Sequence, residues 1–192
     1  MLTPEIVEAL RAPVSDASPC GEDLEYDADF IALESAAQGK PEQQFGDTVI
    51  PAVEPEWRQV STQAQALLRR SKDVRPAVLL LRAATRLQGL VGFTLGLELL
   101  TELADTFWRD LHPALDADDD NDPTMRLNAL AALSDETLLV RDLLDARVGL
   151  ARSVGPLRVR DVAVARNAMP PAENSYSSAQ VEGALGEIAA EH

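Results

Sequence analysis

Two acidic runs hold the side chains that could most readily carry out chemistry. The first surrounds Tyr26 and consists of Glu22, Asp23, Glu25, Asp27 and Asp29. Paired carboxylates can act as general acid and general base in hydrolysis, so this run is a candidate hydrolytic or ligand-binding site. A solvated acidic surface at the start of a helix is the commoner origin of such a run, and we favour that interpretation.

The second acidic run has carboxylates at alternate positions, spaced like the first ligands of an EF-hand calcium loop: Asp116, Asp118 and Asp120. The later positions do not fit, because the sixth residue is Asn121 instead of glycine and the twelfth is Leu127 instead of glutamate. We therefore expect Asp122 to cap a helix and its acidic neighbours to stabilise the positive helix end. No metal or cofactor is predicted.

Cys20 is the single cysteine of the chain, and a nucleophilic thiol would need a base. The histidines are His112 and the last residue, His192, and no nucleophile motif joins either of them to Cys20. We expect Cys20 to be a small buried residue in a turn and His112 to interact with the carbonyl end of a helix. One cysteine cannot form a disulfide within the chain, which favours a reducing compartment.

Three arginines, Arg75, Arg82 and Arg86, form one polar stripe on an otherwise apolar segment. Buried guanidinium groups need acidic partners or a path to water. Either acidic run could supply such partners, and we expect at least one ion pair to anchor a loop to this segment. The alternative is a surface stripe of snorkelling side chains.

The segment that must position these side chains runs from residue 73 to residue 108. It is expected to form two apolar helices joined by a tight turn at Gly89, with Asp73 as the first cap. The second helix carries apolar residues at steps of four and three, which is helical spacing: Phe93, Leu97, Leu100, Ala104, Phe107 and Leu111. The other elements should pack on this pair.

Caps and apolar stripes predict further helices after Thr3, Asp27 and Pro55, with Gly39 ending the second of them. Another helix should follow Asp122, and Ser134 or Asp135 should cap a last bundle helix. The inward-facing residues of the helix after Asp122 should be Leu127, Leu130 and Leu133. Residues 40–54 form a long connection of unspecified conformation, a kind that is usually functional or well packed on itself.

The fold class expected is therefore all-α, an irregular multi-helix bundle with long loops. Alternating apolar and basic residues predict at most one very short β element near residues 157–160. The expected organisation is a helical domain over residues 1–166, a linker over 167–177 and a terminal helix over 178–192 that leads to a missing C-terminal region.

The formal net charge of −15 argues against nucleic acid and anionic lipid as partners. A strongly negative surface is compatible with partners that present basic patches. The first residues do not resemble a signal peptide, and no stretch predicts a membrane span. The sequence is thus expected to belong to a cytoplasmic protein without membrane insertion.

Three segments carry a family signature: SPCGEDLEYD at 18–27, GKPEQQFGDT at 39–48 and DDNDPTMRLNAL at 119–130. Together with Trp-Arg at 57–58 and Ser-Lys-Asp at 71–73, they resemble the ImpA-related N-terminal domain found in the TssA component of bacterial type VI secretion systems. The resemblance covers most of the chain to about Val164. We refer to the three segments below as motif segments one, two and three.

The resemblance implies an all-helical domain at the front of a longer protein that helps to assemble the contractile tail. In that family the C-terminal part builds a ring, so homo-oligomerisation would depend on a region that this chain lacks. The implied partners are baseplate, membrane-complex, tube or sheath components. It implies no catalytic residue, so the function expected is a non-catalytic assembly module that makes protein–protein contacts.

Candidate partner-contact or loop-anchoring residues lie in and around the motif segments, and we expect Trp57 and Phe45 to pack on the bundle. The full set is Glu22, Asp23, Tyr26, Gln43, Gln44, Phe45, Trp57, Arg75, Arg82, Arg86, Asp118, Asp119, Asp120, Arg126 and Asn128. The alternative function is a metal-binding or small-ligand-binding helical domain, or a hydrolase, that uses one of the two acidic runs.

Overall fold

The computed structural model describes residues 1–40, 43–46 and 48–191. Pro41, Glu42 and Asp47 of motif segment two, and the terminal His192, lie outside the described residues. No helix among the described residues is long and apolar enough to cross a membrane.

The described residues are predominantly helical, with two small antiparallel hairpins. The helices are α1 (Pro4–Arg11), α2 (Ala28–Gln38), α3 (Trp57–Arg70), α4 (Val74–Gln88), α5 (Leu90–Phe107), α6 (Thr124–Leu130), a 3-10 helix (Ala131–Leu133), α7 (Leu139–Asp145), α8 (Val159–Ala165) and α9 (Ser178–Ala190). The strands are β1 (Gln43–Phe45), β2 (Thr48–Ile50), β3 (Arg147–Ala151) and β4 (Gly155–Arg158).

Helices α4 and α5 form the predicted central pair, joined at Gly89, whose φ is 65°. The close approach of the two helices depends on two glycines in α5. A Cβ atom at Gly92 would lie 2.0 Å from the carbonyl oxygen of Ala84, and one at Gly96 would lie 2.8 Å from the Cα atom of Leu81. Any larger residue at either position would therefore push the helices apart.

Helices α1, α2 and α3 surround this pair, and α1 and α2 begin with the caps that the sequence predicts. Thr3 accepts a hydrogen bond from the backbone N–H of Ile6, and Asp27 accepts one from Asp29 at 2.8 Å. Apolar side chains from these five helices, together with Leu139 of α7, form one continuous core, which includes Leu10, Phe30, Leu33, Val60, Leu67, Leu68, Leu80, Leu81, Leu99 and Leu103.

Two expectations for the helices after residue 120 were wrong. Leu127 is 55% exposed, because α6 instead turns the fully buried side chain of Arg126 toward the core. Helix α7 begins at Leu139 with Leu138 as its N-cap, so neither Ser134 nor Asp135 caps it, because the Asp135 carboxylate accepts a 2.7 Å hydrogen bond from the Thr137 N–H and holds a separate turn.

The β element expected near residues 157–160 is one strand of a hairpin, β3–β4, and it ends two residues earlier. Val159 begins α8, because the Asp161 carboxylate accepts a 2.8 Å hydrogen bond from the Arg158 N–H and starts the helix there. Helix α9 packs against this hairpin, and its N-cap is Ser177. A second buried cluster joins them: Ala151, Leu157, Val181 and Ala184.

The connection over residues 40–54 contains a β-hairpin that the sequence analysis did not predict. Strand β1 pairs with β2, with Gln43 opposite Ile50 and Phe45 opposite Thr48. Lys40 and Val53 extend the pairing with two reciprocal backbone hydrogen bonds of 2.8 Å. All six strand residues are exposed, so the hairpin projects from the helical core.

Candidate functional site

Motif segment one is a loop that is bound by its backbone to the junction of α3 and α4. Lys72 donates its backbone N–H to the carbonyl of Cys20 at 2.7 Å. The hydroxyl of Ser71 donates to the carbonyl of Glu22, also at 2.7 Å. These contacts satisfy backbone groups of the loop that would otherwise need water.

Arg75, near the start of α4, binds carboxylates of this loop. It forms ion pairs with the α4 cap Asp73 at 2.7 Å, with Glu25 at 3.0 Å and with Asp23 at 3.1 Å. Its guanidinium also lies 4.6 Å from the centre of the Phe30 ring. Burial acts to lower the pKa of Arg75, but the three carboxylates outweigh it and the pKa is raised. Two candidate acid–base residues are therefore bound to a permanent cation.

The remaining acids of the first run are arranged differently. Asp27 and Asp29 pair with Arg70 of α3 at 2.5 and 2.8 Å, and the hydrogen bond from Arg70 lowers the pKa of Asp27. Tyr26, which directly precedes Asp27, is 89% exposed. Tyr26 is thus an accessible aromatic residue of motif segment one.

Lys72 is buried beneath the same loop and was not identified as a site residue from the sequence. Its ammonium group donates to the carbonyls of Leu10 at 2.6 Å and Leu68 at 2.8 Å, joining the ends of α1 and α3. Burial lowers the pKa of Lys72 to about 8. The family signature Ser-Lys-Asp at 71–73 was the sequence signal that could have identified Lys72. All three side chains of this signature are buried in the structure.

Cys20 and His112 do not have the properties of a catalytic thiol and base. Burial, with a smaller contribution from Asp110, raises the pKa of the buried Cys20 thiol to about 11, whereas a nucleophile needs a lowered value. The Nε2 atom of His112 lies 3.2 Å from the carbonyl oxygen of Gly21, so the expected contact with a helix end was wrong. Both residues help to hold motif segment one.

A second polar cluster lies where α3, α4 and α7 meet. The Nε atom of Arg82 is 2.8 Å from Oδ2 of Asp142, and both side chains are buried. The Trp57 ring covers this pair, with its centre 5.2 Å from the Arg82 guanidinium and 5.8 Å from that of Arg86. The partner of Arg82 therefore comes from α7 and from neither acidic run.

Arg86 extends this cluster to the surface. It pairs with Glu54, which follows the β1–β2 hairpin, and the hydrogen bond from Arg86 lowers the pKa of Glu54. Asp142 and Asp145 lie farther away, at 3.7 and 3.9 Å. The three arginines of the α4 stripe thus connect motif segment one, α7 and the segment after the hairpin to the central pair.

Arg126 of motif segment three fixes the chain that follows α5. Its fully buried guanidinium donates to the carbonyl of Pro113 at 2.7 Å and to the carbonyls of Trp108 and Leu111. The Trp108 ring lies 4.9 Å away. Arg126 is therefore a loop-anchoring residue, whereas Asn128, two positions later, is exposed.

The second acidic run uses its carboxylates in its own turns. Asp116 accepts from the N–H of Asp118 at 3.0 Å, and Asp122 accepts from the N–H of Thr124 at 3.1 Å. Asp118, Asp119 and Asp120 are exposed. Within the described parts of the chain, no three histidine, cysteine or carboxylate side chains lie close enough to hold a metal ion.

The β1–β2 hairpin of motif segment two places its apolar side chains in solvent. Phe45 is 66% exposed, so the expectation that it packs on the bundle was wrong, whereas Trp57 is buried as expected. Phe45 and Ile50 share one face with Gln43, and Gln44 and Val49 lie on the other. Both faces are exposed because the hairpin has two strands and no helix among the described residues covers it.

The fold and these motif contacts define the class of the protein. The family model described as "ImpA, N-terminal, type VI secretion system" matches residues 11–135, and the chain belongs to that family. The matched region includes the central helical pair and all three motif segments.

Two relatives give the comparison more detail. Over 96% of its length, the chain is 46% identical to the type VI secretion system component TssA1 of Pseudomonas aeruginosa, strain PAO1. It covers 54% of that protein and so spans about half of the length of this relative. The solved N-terminal domain of the TssA component from Burkholderia cenocepacia matches with a TM-score of 0.66 at 28% identity, over 95% of this chain and 71% of that one.

Proposed function

We propose that this chain is a non-catalytic assembly module of a type VI secretion system and that it acts through protein–protein contacts. The observation that carries the proposal is the difference between the charged and the apolar residues of the motif segments. Arg75, Arg126 and the carboxylates beside Arg75 are bound within the fold, whereas the hairpin side chains are free to meet another protein.

Several carboxylates of the two acidic runs already have partners within the fold, which supports a binding function over a catalytic one. Asp23 and Glu25 pair with Arg75, and the turns of the second run use Asp116 and Asp122 as hydrogen-bond acceptors. A general acid or base needs free access to a substrate. Carboxylates that already accept hydrogen bonds from a guanidinium or from backbone N–H groups are less available to one.

The β1–β2 hairpin is the contact surface that we assign to this function. An isolated two-stranded hairpin is only marginally stable in water, and exposed apolar patches on proteins commonly mark interaction sites. Phe45 and Ile50, which are 66% and 46% exposed, share one face and would be covered by a partner. The partners proposed are baseplate, membrane-complex, tube or sheath components in the cytoplasm.

The organisation that we propose keeps residues 1–166 as the helical unit, with residues 167–177 as a linker to helix α9. In this proposal, oligomerisation of the longer protein depends on a region beyond residue 192. The curated TssA1 relative, of which this chain covers 54%, supports the existence of such a region.

Affinity purification of the tagged chain from the bacterium that encodes it, followed by mass spectrometry, tests the function. We expect type VI secretion components to be enriched with the wild-type chain and lost with Phe45→Ser/Ile50→Ser. The matched control is Val91→Ser/Leu97→Ser, which removes two exposed apolar residues of α5 and should leave the recovery unchanged. Equal recovery with both double variants would contradict the assigned surface.

A separate result would contradict the non-catalytic part of the proposal. It is turnover of any substrate by the purified chain that disappears with Glu22→Gln or Asp118→Asn. Both side chains are at the surface, so neither substitution should disturb the fold and an effect on turnover would be direct.

A further inference from the structure

The charge of this acidic chain is unevenly distributed. Residues 139–166 contain six arginines and three aspartates, a formal charge of +3, although the whole chain carries −15. The six arginines are Arg141, Arg147, Arg152, Arg158, Arg160 and Arg166. This local excess of positive charge lies around the β3–β4 hairpin and the two short helices beside it.

Two of these arginines face each other across the hairpin. Arg147 and Arg158 are directly paired in the β3–β4 register, so their side chains leave the same face. Both are exposed, and neither forms an ion pair with a carboxylate among the described residues. Like charges at directly opposed positions destabilise a strand pair, so an arrangement of this kind favours an anion that binds between them.

The two faces of the hairpin have different surroundings. Leu157, with Gly149 opposite, faces the buried cluster with α9, where a Cβ atom at Gly149 would lie 2.7 Å from the Ile188 side chain. On the other face, Arg147 and Arg158 line an open cleft of about 540 Å³ between the hairpin, the Gly89 turn and the end of α7. None of the described helices covers this arginine face.

The cleft already binds carboxylates of this chain. Its wall includes Arg86, which holds the carboxylate of Glu54, and Asp145, which pairs with Arg160 at 2.7 Å. Three acids of the cleft thus have arginine partners: Glu54, Asp142 and Asp145. Arg147 and Arg158 remain as two further carboxylate-binding groups in the same cleft.

We propose that this cleft is a docking site for a short acidic peptide segment of a partner protein. Two carboxylates of the segment would bind Arg147 and Arg158, and an apolar neighbour would cover Pro156 and the 61% exposed Leu150. A small anion would satisfy the arginines but would leave these apolar groups in water, which is why a peptide fits better. That the partner is a secretion component rests on the function proposed above.

Fluorescence anisotropy with fluorescein-labelled hexaglutamate tests the site. The acidic chain as a whole repels this probe, so binding requires a local cationic site. We expect the wild-type chain to bind hexaglutamate at low ionic strength and not labelled hexaglutamine. Arg147→Gln/Arg158→Gln should weaken binding about tenfold or more, because charge-assisted bonds to both arginines are lost.

The matched control is Arg152→Gln/Arg166→Gln, which removes the same charge from arginines that are 90% and 63% exposed and do not line the cleft. It should change the affinity by less than about twofold, since long-range charge effects are screened. Unfolding midpoints should show that both variants fold, and loss of the Arg147–Arg158 repulsion should not lower the midpoint.

Three results of the binding assay would overturn the proposal. They are no binding of hexaglutamate by the wild-type chain, equal weakening in both double variants, and displacement of hexaglutamate by an equimolar amount of citrate or phosphate. Concentration-dependent dimerisation that the Arg147→Gln/Arg158→Gln variant abolishes would assign the cleft to a second copy and would also overturn it. None of these results affects the affinity-purification test of the β1–β2 hairpin. The proposed function and the proposed peptide site therefore fail independently.

Discussion

Four charged side chains are almost completely buried among the described residues, and each has a specific partner. Lys72 and Arg126 donate to backbone carbonyls, Asp142 binds Arg82, and Asp73 binds Arg75. A buried charge without a partner is strongly unfavourable, so these residues fix the position of the segments that they contact. The motif segments are therefore held mainly by polar contacts to a fixed helical pair.

Breaking the buried Arg82–Asp142 ion pair should strongly destabilise the fold. Asp142→Asn leaves Arg82 buried without its countercharge, and we expect a loss of about 3 kcal/mol in the free energy of unfolding. The matched control is Asp145→Asn, which weakens a partly exposed pair with Arg160 and should cost about 1 kcal/mol or less. Urea unfolding measures both, and equal losses would show that the buried pair has no special role.

Lys72 gives a pH-dependent prediction. Burial lowers its pKa to about 8, whereas the unfolded chain keeps a value of about 10.4. Between these values the unfolded state binds more protons, so the contribution of Lys72 to stability rises with pH. We expect the free energy of unfolding of the wild type, relative to Lys72→Met, to increase from pH 7.5 to pH 10, as measured by urea unfolding.

The other lysine of the chain provides the control for this experiment. Lys40 is exposed, so the wild type relative to Lys40→Met should show no comparable trend over the same pH range. A flat or falling difference for Lys72→Met would mean that the ammonium group is not destabilised by its surroundings.

At the scale of secondary-structure elements, the packing of α4 on α5 depends on Gly92 and Gly96. Gly92→Ala places a methyl group against the Ala84 carbonyl, and we expect a loss of about 1–3 kcal/mol in the free energy of unfolding. In contrast, Gly183→Ala lies in α9 with open space around it and should stabilise by about 0.5–1 kcal/mol. Urea denaturation of the two variants should give opposite signs, and the same sign for both would contradict this account of the helix pair.

The elements that the sequence predicts well are those with local signals. Thr3, Asp27 and Asp73 are correct as caps because capping involves residues two or three positions away. The β1–β2 hairpin was not predicted because its strands have only three residues each and no buried face, so no alternating pattern marks them.

The candidate sites were predictable only where both partners lie near recognisable segments. The sequence suggested a link between the α4 arginines and the first acidic run, and Arg75 makes it. It could not indicate that Arg82 binds Asp142, 60 residues away, because many acids were available. The sequence left open whether Arg126 anchors a loop or contacts a partner, because its acceptors are backbone carbonyls, which leave no signal in the side-chain pattern.

At the scale of the whole molecule, charge and apolar surface are separated into regions with different roles. The chain as a whole is acidic, with a formal net charge of −15, and the arginine face of the β3–β4 hairpin is a local exception. The apolar β1–β2 hairpin of motif segment two is a third region, separate from the acidic surface and from the arginine face. This separation supports a domain that binds other proteins through defined surfaces.

The central claim is that motif segment two makes contact with a secretion component. Its most direct test is site-specific photo-crosslinking in the living bacterium, with a photoreactive phenylalanine analogue at Phe45 and, as the control, at the similarly exposed Val91 of α5. We expect an adduct with a type VI secretion protein from position 45 and none from position 91. An adduct from neither position, or the same adduct from both, would contradict the claim.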